Sequence, residues 1–70
     1  MSKLPCISHQ RVIRALKKKG FFILRQGKHI SMSDGHNLVI IPRQDIIKPG
    51  TLRQILNAAE ISVEEFNQLI

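Results

Sequence analysis

Between Phe21 and Ile41 the side chains recur with a period of two, and Asp34-Gly35 interrupts them where the chain must reverse. Asp-Gly between two alternating runs is a strong hairpin signal, because glycine tolerates the positive φ that tight turns require. The pattern predicts three strands, over residues 21–26, from 28 or 29 to 33, and over 37–41, with Gly27 and Lys28 in the first turn. In the middle strand His29, Ser31 and Ser33 alternate with Ile30 and Met32, so the polar and apolar sets point to opposite faces. His29 is therefore expected to look away from the core. The outer strands are apolar on both sides, at Phe21 to Leu24 and at Leu38 to Ile41, and helices can cover only one face. The second face is expected to be sealed by another chain.

Helical periodicity flanks this meander. Ser8 is placed to cap a helix over residues 9–19, in which Val12, Ile13, Ala15 and Leu16 form an apolar stripe while Arg11, Arg14, Lys17 and Lys18 face outward. Gly20 is placed to end it. After Pro42 and a loop, Thr51 with Gln54 fits a capping box that opens a helix over residues 52–59. Ser62 with Glu65 fits a second box, starting a short last helix with Val63, Phe66, Leu69 and Ile70 apolar. The expected class is α+β, a three-stranded antiparallel sheet with two helices on one face in the order α-β-β-β-α, plus a short C-terminal helix.

Seventy residues predict one domain, 1–70, with one small core and marginal stability, since a chain of this size buries only about 60% of its unfolded surface. The single cysteine, Cys6, allows no internal disulfide and suits a reducing cytosol. The apolar runs fall far short of the ~20 residues a membrane span needs, and no signal peptide is visible, so a cytoplasmic protein is expected. Eleven Lys and Arg against five acids give a formal charge of +6, which favours polyanionic partners. The charge is lopsided: Lys3, Arg11, Arg14, Lys17, Lys18, Lys19, Arg25 and Lys28 all precede the first acid, Asp34, while Glu60, Glu64 and Glu65 lie near the C-terminus. The run Lys17, Lys18 and Lys19 fits phosphate binding and equally fits a last helical turn, where cations oppose the helix dipole.

The element order, the leading Leu4-Pro5, a helix ending in Lys19-Gly20-Phe21, the string Arg25-Gln26-Gly27-Lys28-His29, an apolar strand running into Pro42, and Lys48-Pro49-Gly50-Thr51-Leu52 continuing to Ile55-Leu56 together mark a family. Over nearly its whole length the chain resembles the HicA toxins, mRNA interferases of bacterial and archaeal toxin-antitoxin pairs. The resemblance implies a fold similar to double-stranded RNA-binding domains, metal-independent cleavage of mRNA without a cofactor, and a HicB-type antitoxin that covers the site. It also implies a histidine in a glycine-x-histidine turn on which toxicity depends, and that histidine corresponds to His29. The chain departs from the family pattern at three places. Lys28 stands where many members carry serine, Ser31 and Met32 where an aromatic follows, and Gln44 where a second histidine follows the proline.

RNA carries its own nucleophile, the 2′-hydroxyl, so a cleaving protein need only remove that proton, steady the crowded phosphorus and help the 5′-oxygen leave. An imidazole, whose ordinary pKa of about 6.5 leaves it largely neutral near pH 7, suits the base role. Lys28, Arg25 and Arg43 are the candidates to offset phosphate charge, with Gly27 in the turn and Lys17, Lys18 and Lys19 as further RNA contacts. His9 and His36 read as surface residues. Cys6 and His9 form a Cys-x-x-His pair without a second pair at ligand spacing, which argues against structural zinc, and Asp34 and Asp45 have no partner acid nearby. The chain has no tyrosine or tryptophan, and its three phenylalanines read as core, so base stacking has little to work with and recognition through backbone and shape is expected. Two other readings stay open: a non-catalytic module of the double-stranded RNA-binding type, and an interaction protein whose charge serves solubility.

Overall fold

A computed structural model describes residues 4–70; Lys3, counted above among the basic residues, lies outside the described residues. The elements are α1 (His9–Lys18), β1 (Phe22–Gln26), β2 (His29–Ser33), β3 (Leu38–Pro42), α2 (Pro49–Ala59) and α3 (Val63–Leu69). The expected α+β order is the observed one.

Local chemistry explains most of the boundaries. The Ser8 hydroxyl accepts a hydrogen bond from the Arg11 N–H at 3.3 Å and opens α1. At the other end Gly20 adopts φ +103, which lets the Phe21 N–H reach the Leu16 carbonyl and the Gly20 N–H reach the Lys17 carbonyl, the paired bonds of a Schellman motif. Ser62 caps α3 by accepting from the Glu65 N–H at 3.1 Å. The box expected at Thr51 does not form. Helix α2 begins three residues before the predicted start, with Lys48 as a cap that makes no side-chain bond and Pro49 in the first turn. Proline fits there because its φ is already helical and the missing N–H would have had no intrahelical partner.

The sheet order is β1-β2-β3, antiparallel throughout. Between β2 and β3 the Asp34 carboxylate accepts from the N–H groups of Asn37 (2.6 Å) and His36 (2.9 Å), while Gly35 takes φ +92. These donors, Asn37 first, hold the Asp34 carboxyl below the usual carboxylate range. Pairing of β2 with β3 puts Ile30 opposite Ile41 and Met32 opposite Val39 on one face, and His29 opposite Pro42, Ser31 opposite Ile40 and Ser33 opposite Leu38 on the other. The first set is buried and packs with Val12, Leu16, Leu52, Leu56 and Phe66 of the three helices. The second set faces away from the helices.

Strand β1 departs from strict alternation. Its register shifts between Ile23 and Arg25, leaving Leu24 as an extra residue, so Arg25 sits opposite Ser31 on the outer face rather than beneath it. The outer face is apolar and uncovered: Phe22, expected in the core with Phe21 and Phe66, is instead 48% exposed because strand alternation turns it outward, and Leu38 is 57% and Ile40 49% exposed.

Helix α2 ends on Glu60 at φ 58, ψ 41, the only non-glycine residue with positive φ among those described. A left-handed conformation costs an L-residue about 1–2 kcal/mol, part of which glycine gives back as unfolded-chain entropy. The Glu60 carboxylate also accepts from the Asn37 amide at 3.1 Å, an exposed bond of small worth. Glu60→Gly is expected to stabilise the fold by about 0.5–1 kcal/mol, read as a melting temperature a few degrees higher by circular dichroism. A lower melting temperature would show that the Asn37 bond outweighs the backbone strain.

Candidate active site

His29 opens β2 on the outer, helix-free face and is exposed. Its imidazole makes no hydrogen bond to any described residue, so neither ring nitrogen is occupied. The backbone beneath it is fixed by contrast. The Gly27 N–H donates to the His29 carbonyl at 3.0 Å, and Arg43 Nε donates to the Gly27 carbonyl at 2.7 Å. Because Arg43 follows Pro42, the strand partner of His29, this bond ties the β1–β2 turn to the exit of β3. One guanidinium nitrogen is spent on the clamp, and the terminal ones remain available to an anion.

The cations expected near His29 gather by three routes. Lys28 is at the apex of the turn; Arg25 reaches the same face through the β1 bulge, diagonal to His29 across the strand pair; Arg43 comes from the β3 exit. Gly27 is in this group through its two backbone bonds. Lys17, Lys18 and Lys19 are elsewhere, because β1, about 16 Å long at ~3.3 Å per residue, separates the end of α1 from the Gly27 turn. Two of these lysines already have partners: Lys18 Nζ donates to the Leu69 carbonyl at 2.9 Å, and Lys19 pairs with Glu65. Both contacts tie α1 to α3.

The other two histidines serve backbone geometry. His9 Nδ1 lies 2.8 Å from the Gln44 carbonyl, which can only accept, so that nitrogen carries the proton. His9 thereby anchors the start of α1 to the loop beyond β3. The His36 N–H donates to Asp34 in the hairpin. Cys6 is a free, exposed thiol.

A groove of about 340 Å³ runs beside His29 around the edge of the sheet at β3, where the outer side of that strand meets the flank of helix α2. Ile40 and Pro42 form one wall, and Thr51, Gln54 and Ala58, on one face of α2, form the other. Sequence reasoning assigned Thr51 and Gln54 to a helix cap and so missed them as groove residues. The available signal was Pro49: a helix opening at that proline puts Thr51, Gln54, Ile55 and Ala58 at i, i+3, i+4 and i+7, a single stripe.

With this geometry in place, residues 10–61 match the family model described as the HicA toxin of bacterial toxin-antitoxin systems. The chain belongs to the HicA toxin family, in which the toxin has an antitoxin partner. No curated protein and no solved structure matches it.

The clamp yields a direct expectation. Arg43→Ala should release the Gly27 carbonyl and speed hydrogen exchange of the Gly27 amide about tenfold, with about 1 kcal/mol lost in global stability. Wild-type protection at Gly27 in the variant would show that the turn holds without Arg43.

Proposed function

We propose that this chain is a ribonuclease toxin that cleaves mRNA in the cytoplasm, with residues 1–70 acting as one toxin domain and a HicB-type protein as its antitoxin. The observation that carries the reading is His29, outward-facing and with an unoccupied ring at the edge of a cationic turn, in a chain of net charge +6.

A ring nitrogen of His29 takes the proton of a ribose 2′-hydroxyl, and the freed oxygen attacks the adjacent phosphorus. The new O2′–P bond forms as the P–O5′ bond breaks, giving a 2′,3′-cyclic phosphate. The departing 5′-oxygen takes a proton from the imidazolium just formed or from water, which the open site admits. Charge on the phosphorane oxygens is met by Lys28, by Arg25 and by the terminal nitrogens of Arg43, whose guanidinium is already held by its bond to the Gly27 carbonyl. The residues at Lys28 and Gln44 differ from the common family pattern, so cation chemistry carries more of the stabilisation here than a second imidazole would.

Family membership supplies an antitoxin, and the outer face supplies a surface suited to one. Phe22, Leu38 and Ile40 lie on the same uncovered face as His29, so a protein burying those side chains would also cover the imidazole. Inhibition then needs no conformational change in the toxin. Lys17, Lys18 and Lys19 belong to this reading as outlying RNA backbone contacts, with Lys17 the freest of the three.

A general base contributes about 10²- to 10⁴-fold to such a step. His29→Ala should retain its melting temperature and lose at least about 100-fold in cleavage of a messenger transcript in chelator-containing buffer, with cyclic or 3′-phosphate ends on the wild-type products. A folded His29→Ala variant that cuts at the wild-type rate, or a wild-type protein that binds RNA and leaves it intact, would replace this reading with that of a non-catalytic RNA-binding module.

A further inference from the structure

We infer that the groove between β3 and α2 is a nucleobase subsite, in which Gln54 reads the edge of the base attached to the ribose that meets His29. The inference rests on the ribonuclease reading and adds to it a place for the base. Three observations support it.

First, His29 itself lines the groove. A 2′-hydroxyl within reach of that ring leaves its own base only a short distance away, and a groove that has His29 in its lining lies within that reach. Its volume of about 340 Å³ is at the lower end of the range for small-molecule sites.

Second, the two sides of His29 differ in chemistry. Lys28, Arg43 and Arg25 surround the turn, whereas among the described residues no Lys, Arg, Asp or Glu lines the groove. The cationic side suits phosphate, and the neutral side suits a base. Ile40, Pro42 and Ala58 offer aliphatic surface to a ring face, and no Phe among the described residues lines the groove.

Third, the groove carries one group able to read a base. The Gln54 amide presents a donor and an acceptor side by side, the arrangement that pairs with a base edge. It makes no hydrogen bond to a described residue, because the cap that would have engaged it does not form. Thr51, one turn nearer the start of α2, adds a hydroxyl. The direction of α2 is fixed at its far end by Asn37, whose amide donates to the Ala59 carbonyl at 3.5 Å and to Glu60. Thr51 and Gln54 therefore lie toward the His29 end of the groove.

The test uses short RNAs that differ only in the base 5′ to the cleaved bond, in two arms. Cleavage rates are measured for wild type, Gln54→Leu and Gln54→Glu, and affinities are measured for His29→Ala with and without Gln54→Leu. Wild type should favour one base by about 5- to 10-fold, the low end of amide discrimination as befits an open site. Gln54→Leu should flatten that preference, and Gln54→Glu, which only accepts when ionised, should change which base is favoured. Position 54 is exposed and leucine is a good helix former, so the melting temperature should not fall. A base preference that Gln54→Leu leaves unchanged, or no base preference in either arm with Gln54 present, overturns the subsite. If wild type cuts nothing while the affinity arm still shows a Gln54-dependent preference, the subsite stands and the ribonuclease reading falls.

Discussion

A three-stranded sheet with helices on only one side has one face to bury and one to present. In this chain the division is set by β2, where Ile30 and Met32 are buried and His29, Ser31 and Ser33 alternate with them. A slip of one residue in that strand would carry His29 into the core and Ile30 into solvent. The register is held from both ends, by the Asp34 turn on one side and by the Arg43–Gly27 bond on the other. The position of the imidazole is thus a consequence of core packing, even though the ring itself touches little.

The same arrangement accounts for the cost the protein carries. Phe22, Leu38 and Ile40 stay exposed on a chain of 70 residues that has little apolar surface to spare. No packing among the described residues accounts for them there. An apolar face shared with the proposed catalytic group is a surface on which a partner that buried it would also cover the imidazole. Around His29 the surface then divides into a cationic turn and a neutral groove, an asymmetry suited to a ligand that is itself charged along one side and flat and apolar along the other.

Much of this was legible in the residues. Ser8, Gly20, the Asp34-Gly35 pair and Ser62 each act through a local bond or a local φ, and each lies where its chemistry predicts. What escaped depends on competition or on distance. At α2 a plausible cap at Thr51 lost to Pro49, whose fixed φ opens the helix earlier. The bulge at Leu24 has no glycine to announce it, and it alone brings Arg25 to the His29 face. Glu60 takes a left-handed conformation where a glycine would be expected. The bonds of Arg43 to Gly27 and of Lys18 to Leu69 join residues far apart in sequence, and no spacing rule foretells them. The position of His29 was readable because period-two alternation is local, and Lys28, Arg25 and Arg43 could be named beside it; the α2 wall of the groove was not, because it comes from a helix distant in sequence whose start was misplaced.

The account turns on whether that imidazole is the group that makes the protein toxic. Wild type and His29→Ala, each expressed under tight control in a bacterial host and verified as folded and equally abundant, give the most direct answer through growth. Arrest by wild type, reversed on co-expression of the antitoxin and absent with His29→Ala, is the predicted result. Equal arrest by both forms would contradict the account.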